Sequence, residues 1–227
     1  IPKNQQKYYL EKIIYLPNTY QANDSTKKIS NKVYSRKEFG LPENAFVFCC
    51  FNKHYKITPK IFNIWMNLLN STKGSVLWLY EGNTTVVKNL RKEASKEGID
   101  KERLIFTKFL PQADHLARQK LADLFLDTFP YTAHTTCSDA LWVGLPIITL
   151  KGKSFASRVA ASLLNAIDLS ELITNSELEY KNLAIELASN TKKLSEIKKK
   201  LKKNKFTKPL FDTVTFTRNI ESAYKII

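Results

Sequence analysis

Short apolar runs alternate with amphipathic segments along most of the chain. The apolar runs are rich in Val, Ile, Phe and Trp, which is typical of strands buried on both faces of a sheet. Strands are predicted over residues 45–51, 75–80, 104–106, 124–126 and 146–150. Helices are predicted over residues 59–69, 84–97, 112–120, 135–143 and 157–164.

Strands that alternate with helices in this way indicate βαβ units and a parallel sheet covered on both faces. We therefore predict an α/β fold, a Rossmann-like, doubly wound parallel sheet. Beyond residue 157 the pattern is predominantly helical with a break at residues 207–209, so we expect a helical C-terminal tail. Residues 1–35 are polar and rich in turns, and we interpret them as an arm that precedes a lobe formed by residues 36–227.

In such sheets, ligands bind at the carboxyl ends of the strands. The loops expected there are residues 52–58, 107–112 and 127–136. The chain has only 6 glycines, with no GxGxxG after the first predicted strand and no P-loop. This absence disfavours a nicotinamide or flavin dinucleotide, whose pyrophosphate is cradled by glycine-rich turns.

The composition indicates a folded chain without a membrane anchor. The apolar fraction is 43%, and no apolar run approaches the roughly 18 residues of a membrane helix. Three cysteines give no disulfide framework and no CxxC pair, which is typical of a reducing compartment. We therefore expect a cytoplasmic protein. Because the first residue is Ile1 and not Met, we interpret the chain as a piece of a longer protein.

The charge is strongly positive but uneven. Lys and Arg exceed Asp and Glu by 36 to 21, a net charge of +15, and eight lysines fall within residues 191–205. In that segment Leu194, Ile197 and Leu201 keep the spacing of an amphipathic helix. A docked helix with a solvated basic face is therefore the favoured interpretation. An acidic protein partner and a nucleic acid remain as alternatives.

The loop at residues 127–136 leads into a helix that begins with two threonines. The N–H groups of a helix start, the hydroxyls of Thr135 and Thr136 and the positive end of the helix dipole together suit an anion. Lys56, expected at the same sheet edge, could meet a diphosphate. The alternatives are an ordinary N-cap for the threonines and a solvated surface position for the lysine.

Several motifs with rare residues occur in a fixed order along nearly the whole chain. They are Gly40-Leu41-Pro42-Glu43, Phe51-Asn52, Tyr55-Lys56, Leu110-Pro111, His134-Thr135-Thr136, Gly144-Leu145-Pro146 and Ser157-Arg158-Val159-Ala160-Ala161-Ser162. In this order the chain resembles the C-terminal half of the catalytic region of the O-linked N-acetylglucosaminyltransferase family, glycosyltransferase family 41. The resemblance implies the C-terminal lobe of a GT-B fold.

The resemblance also implies a site for uridine diphosphate. Lys56 matches the family lysine that meets the diphosphate, and it is the residue expected to stabilise the leaving group. Thr135 and Thr136 match paired threonines at the phosphates, with His134 beside them. Asp139 matches the aspartate on the ribose.

The uracil contacts are implied in the same way. His115 matches the histidine packed against uracil. Arg118 and the backbone near Leu110 match contacts to the edge of the base. Lys53, also expected in the donor site, stands where the animal enzymes have Gln.

The implied reaction is inverting transfer of a sugar, expected to be N-acetylglucosamine, from a uridine diphosphate sugar to a protein hydroxyl. The chain has no Asp-x-Asp motif, and we expect neither a metal nor another cofactor. The protein acceptor would be held by an N-terminal half and tetratricopeptide repeats that precede Ile1.

Besides the nucleic-acid alternative, two others stay open. A relative could use UDP-glucose or modify Asn. A non-catalytic nucleotide-binding or scaffold domain could have kept the fold. It would be consistent with Lys53, Gln112 and Cys137, which stand where the animal enzymes have Gln, Lys and Gly. The sequence does not indicate the oligomeric state.

Overall fold

The computed structural model describes residues 1–226, which contain six strands and eight α-helices. The strands are β1 Val47–Cys50, β2 Val76–Tyr80, β3 Leu104–Thr107, β4 Leu124–Leu126, β5 Ile147–Leu150 and β6 Ile173–Thr174. The helices are α1 Pro59–Ser71, α2 Thr84–Lys96, α3 Gln112–Gln119, α4 Thr135–Val143, α5 Val159–Ala166, α6 Glu177–Ser189, α7 Thr191–Thr207 and α8 Thr213–Tyr224.

All neighbouring strands run parallel, in the order β3-β2-β1-β4-β5-β6. This is the strand order of a doubly wound sheet, with its reversal between β1 and β4. The four residues of β1 are fully buried, as expected for a central strand covered on both faces. The predicted α/β, Rossmann-like fold is confirmed.

Capping residues, a proline and a glycine mark where the helices near the site begin and end. The Thr58 hydroxyl accepts a hydrogen bond from the Ile61 amide, and Pro59 occupies the first turn of α1. The Asn83 side chain caps α2 in the same way through the Val86 amide. Gly144 ends α4 with a φ of 87°, a left-handed conformation that glycine adopts without strain.

The C-terminal region contains one element that the sequence pattern missed. Residues 173–174 form β6, which pairs with β5 at the edge of the sheet. The segment from residue 157 onward is otherwise predominantly helical, as predicted. A strand of two residues is too short to show strand periodicity in the sequence. α7 is docked through Leu194, Ile197 and Leu201, so the predicted amphipathic helix is confirmed.

The N-terminal arm packs on the lobe, although residues 9–36 lie outside the assigned helices and strands. The Asn23 amide donates to the Leu210 carbonyl at 3.2 Å, and the Trp142 indole donates to the Lys27 carbonyl at 2.9 Å. The Ser30 amide donates to the Ala113 carbonyl. The arm therefore crosses α3 and α4, and the division at residue 35 stays a prediction.

Across residues 1–226, no helix combines the length and apolar character needed to cross a bilayer.

Candidate functional site

A cleft of about 710 Å³ opens at the carboxyl ends of β1 and β2, beside the start of α4. This edge of the sheet is next to the strand-order reversal, where doubly wound folds bind their ligands. The cleft is lined by Phe51, Asn52, Lys53, His54, Tyr55, Lys56, Tyr80, Glu81, Gly82, Phe109, Tyr131, His134, Thr135 and Thr136.

The loop after β1 folds into a single turn of 3-10 helix, His54–Lys56, and this turn brings Lys56 into the site. The Lys56 ammonium donates to the Thr132 carbonyl at 3.0 Å and lies 3.7 Å from the ring centre of Tyr131. Burial lowers the pKa of Lys56. The cation therefore stands against the loop that follows β4.

His54 joins the loops after β1 and β2. Its Nε2 atom lies 3.1 Å from the Tyr80 carbonyl oxygen. A Cβ atom added at Gly82 would lie 2.6 Å from the His54 ring, so the ring occupies the space that a side chain at position 82 would need. His54, which lies in the predicted loop 52–58, thus has a packing role.

The start of α4 is open to the cleft, because His134, Thr135 and Thr136 line it. No side chain caps this helix, so the first amides and the positive end of the helix dipole are available to an anion. The Thr136 hydroxyl is engaged elsewhere: it donates to Asn52 Oδ1 at 2.5 Å. This geometry favours an anion site over an N-cap by the threonines.

His134 occupies the residue before α4, with its Nε2 atom buried and without a hydrogen-bond partner among the described residues. Burial lowers the pKa of His134 and nearby Lys56 also lowers it, while a hydrogen bond to the Ala156 backbone partly opposes the shift. The ring is therefore expected to be neutral at pH 7, which leaves the charge at this end of the cleft to the lysines.

Asn52 and Asp127 form a buried network below the cleft that sequence reasoning did not assign. Asp127 accepts hydrogen bonds from the Thr149 hydroxyl at 2.7 Å and from the Ala133 amide at 2.7 Å. Asn52 and the Thr128 amide donate to it as well. Burial raises the Asp127 pKa to about 6, although these bonds oppose the shift. The sequence signal for this network is the position of Asp127, a carboxylate that directly follows the apolar strand β4.

His115 and Arg118 lie outside the cleft lining, behind Tyr80. The His115 ring stacks on Tyr80 at 5.3 Å between centres, and its Nε2 atom lies 3.0 Å from the tyrosine hydroxyl. Arg118 is fully buried and donates to His115 Nδ1 at 3.0 Å and to the Lys108 carbonyl at 2.7 Å. Burial and the charge of Arg118 lower the His115 pKa to about 3.

Asp139 also lies outside the lining, one turn into α4, where it is paired with Lys27 of the arm at 2.5 Å. Leu110 is half-buried in the loop before α3 and does not line the cleft. The structure thus brings together Lys53, Lys56, His134, Thr135 and Thr136 in the cleft lining and leaves Leu110, His115, Arg118 and Asp139 outside it. Their ligand contacts stay predictions.

Among residues 1–226, no group of three or more His, Cys, Asp or Glu side chains is arranged to hold a metal ion.

The sequence profile of glycosyl transferase family 41 matches residues 21–220. The chain belongs to this family. It is 38% identical over 98% of its length to the probable UDP-N-acetylglucosamine–peptide N-acetylglucosaminyltransferase SEC of Arabidopsis thaliana, and covers 23% of that protein. It is 34% identical over 86% of its length to the UDP-N-acetylglucosamine–peptide N-acetylglucosaminyltransferase of Caenorhabditis elegans, and covers 17% of it. This family 41 chain therefore spans less than a quarter of these relatives.

Solved structures agree with the family assignment. A mutant of the Thermobaculum terrenum O-GlcNAc transferase superposes with a TM-score of 0.87 and 28% identity, over 98% of this chain and 42% of that one. The Anabaena protein HepE, solved with UDP and glucose, superposes with a TM-score of 0.62 over 85% of this chain and 51% of that one, at 17% identity. The HepE match shows the fold alone, and together with the first it identifies the family 41 chain as one lobe of a GT-B fold.

Proposed function

We propose that this chain is the donor-binding lobe of an inverting protein O-glycosyltransferase that uses UDP-N-acetylglucosamine. The observation that carries the proposal is the meeting of the Lys56 ammonium and the uncapped start of α4 in one cleft. A diphosphate carries the charge that these groups attract. The names of the Arabidopsis and Caenorhabditis relatives, which give UDP-N-acetylglucosamine as donor, support the choice of nucleotide sugar.

In such a transfer, negative charge develops on the diphosphate as the sugar departs. A fixed cation and oriented backbone amides stabilise that charge without reorganising during the reaction. Lys56 is the residue we propose for this catalytic role. The acceptor hydroxyl belongs to the protein substrate. We propose that further segments of a longer protein hold this hydroxyl in line and supply its base, because in-line attack needs both reactants held together.

The first test is calorimetric titration of the chain with UDP, UMP, ADP and a DNA duplex. UDP should bind, while UMP, which lacks the distal phosphate, and ADP, which carries another base, should bind more weakly. Stronger binding of the duplex would favour the nucleic-acid alternative. No heat with UDP would favour the scaffold alternative.

The second test substitutes the proposed diphosphate contact. Lys56→Ala should weaken UDP binding by about 1.5–3 kcal/mol and UMP binding much less, because a charge-assisted contact is lost. Lys73→Ala is the matched control, since Lys73 is exposed and precedes β2 at the opposite edge of the sheet. Equal losses for UDP and UMP would place Lys56 away from the distal phosphate.

A family 41 relative that uses UDP-glucose or modifies Asn is the second candidate. Competition of UDP-N-acetylglucosamine and UDP-glucose for the same site distinguishes the donors, and tighter binding of UDP-glucose would contradict the proposed sugar.

A further inference from the structure

Asn52 lies at the end of β1, is almost fully buried, and connects three segments. Its amide nitrogen is 2.8 Å from the Thr128 hydroxyl oxygen and 3.2 Å from Asp127 Oδ1. Its amide oxygen is 2.5 Å from the Thr136 hydroxyl oxygen at the start of α4. The side chain therefore links the buried carboxylate to a hydroxyl in the cleft wall.

The donor and acceptor of each hydrogen bond between Asp127, Asn52 and Thr136 follow from the chemistry of the outer groups. An ionised Asp127 only accepts, so the NH₂ group of Asn52 must face it. The Thr128 hydroxyl gives its proton to the Tyr131 carbonyl at 2.7 Å, so it too can only accept from Asn52. With both amide hydrogens used, Asn52 Oδ1 faces Thr136 and must accept the hydroxyl proton.

Because the Thr136 hydroxyl donates to Asn52, it can act toward a ligand only as a hydrogen-bond acceptor. Its hydroxyl proton is committed to Asn52, so only oxygen lone pairs are left toward the cleft. A diphosphate oxygen is itself an acceptor and gains nothing from them. The exposed Thr135 hydroxyl and the first amides of α4 are the groups at this helix start that can donate.

We propose that Asn52 is a positioning residue for the donor site: it holds the Thr136 hydroxyl and thereby sets the start of α4 against the diphosphate. The inference rests on the proposed function. It assigns Thr136 to the wall of the site and Thr135 to the phosphate contact. Asp127 orients the Asn52 amide from below.

The test is a double-mutant cycle with UDP and UMP as ligands. Asn52→Ala and Thr136→Val should each weaken UDP binding about five- to tenfold, the value of one hydrogen bond, and UMP binding less than about twofold. The double variant should be no weaker than Asn52→Ala alone, because that substitution already removes the bond to Thr136. Thr136→Ser, which keeps the hydroxyl, should bind UDP as the parent chain does.

Thr135→Val is the control for a phosphate contact that is independent of the Asn52–Thr136 bond. Combined with Asn52→Ala, its loss of UDP affinity should multiply with that of Asn52→Ala, because the Thr135 hydroxyl acts on the phosphate by a separate contact. Thermal unfolding of each variant shows whether it is still folded. If Asn52→Ala is unfolded, the UDP affinities of Thr136→Ser and Thr136→Val test the inference.

Three results would overturn the inference: multiplied losses for Asn52→Ala with Thr136→Val, equal losses for UDP and UMP, or an unchanged UDP affinity in Thr136→Val. Failure of the parent chain to bind UDP would instead contradict the proposed function. Binding by the parent with any of those three results contradicts the inference alone.

Discussion

His115 lies under Tyr80 beside the Arg118 guanidinium, and these neighbours determine its protonation. Arg118 donates to Nδ1, so the single proton of the neutral ring is on Nε2, which lies 3.0 Å from both the Tyr80 hydroxyl and the Gln119 side-chain amide. Burial and the adjacent positive charge lower the His115 pKa from 6.5 to about 3. The unfolded chain therefore binds a proton at His115 between these pH values, and the folded chain does not.

This difference predicts an acid-sensitive stability. The contribution of His115 is fully present above pH 6.5 and is lost as the pH falls from 6.5 toward 3, by at most about 4–5 kcal/mol. The free energy of unfolding, measured by urea titration for the parent chain and His115→Gln, should show the parent losing its advantage over this window. A pH-independent difference between the two would contradict the lowered pKa.

The helices and strands show which features local patterns can predict. β1 and α1 were predictable because β1 is a wholly apolar run and α1 carries its start signal, Pro59, in the sequence. β6 was not, since two residues form a strand only through pairing with β5. In the site, the sequence suggested Lys56 but not Asn52, whose partners lie 75 to 84 residues away.

α7 illustrates how a strongly basic helix is held by its apolar face. Leu201 is fully buried, while Lys202 beside it is exposed. Leu201→Ala should lower the free energy of unfolding by about 2–5 kcal/mol, because it removes buried methyl groups and leaves a cavity. Lys202→Ala should change it by less than about 0.5 kcal/mol. Urea unfolding measures both, and a larger effect at Lys202 would indicate that the lysine face is not simply solvated.

For the chain as a unit, we expect UDP binding to require no metal. The proposed diphosphate contacts are Lys56 and the amides at the start of α4, and the sequence has no Asp-x-Asp motif. Calorimetry with EDTA should therefore give the same affinity as calorimetry without it. Binding that disappears on chelation and returns with Mn²⁺ would contradict this expectation.

We also expect the chain to bind the donor without transferring the sugar. Lys56 and the helix start can stabilise a leaving diphosphate, but transfer also needs an acceptor hydroxyl held in line with a base. Incubation with radiolabelled UDP-N-acetylglucosamine and a peptide library should leave the peptides unlabelled. Labelling that His134→Ala abolishes would show that this lobe alone catalyses transfer.

The strand order also dictates when the site can form during folding. β1 contacts β4 only across the long segment that contains β2 and β3, and loop closure becomes less favourable as the enclosed chain lengthens. The bonds from Asn52 to Asp127 and Thr136 exist only once that pairing is made. In refolding, nucleotide affinity should therefore appear only after the β1-β2-β3 half has assembled, because it depends on this non-local pairing.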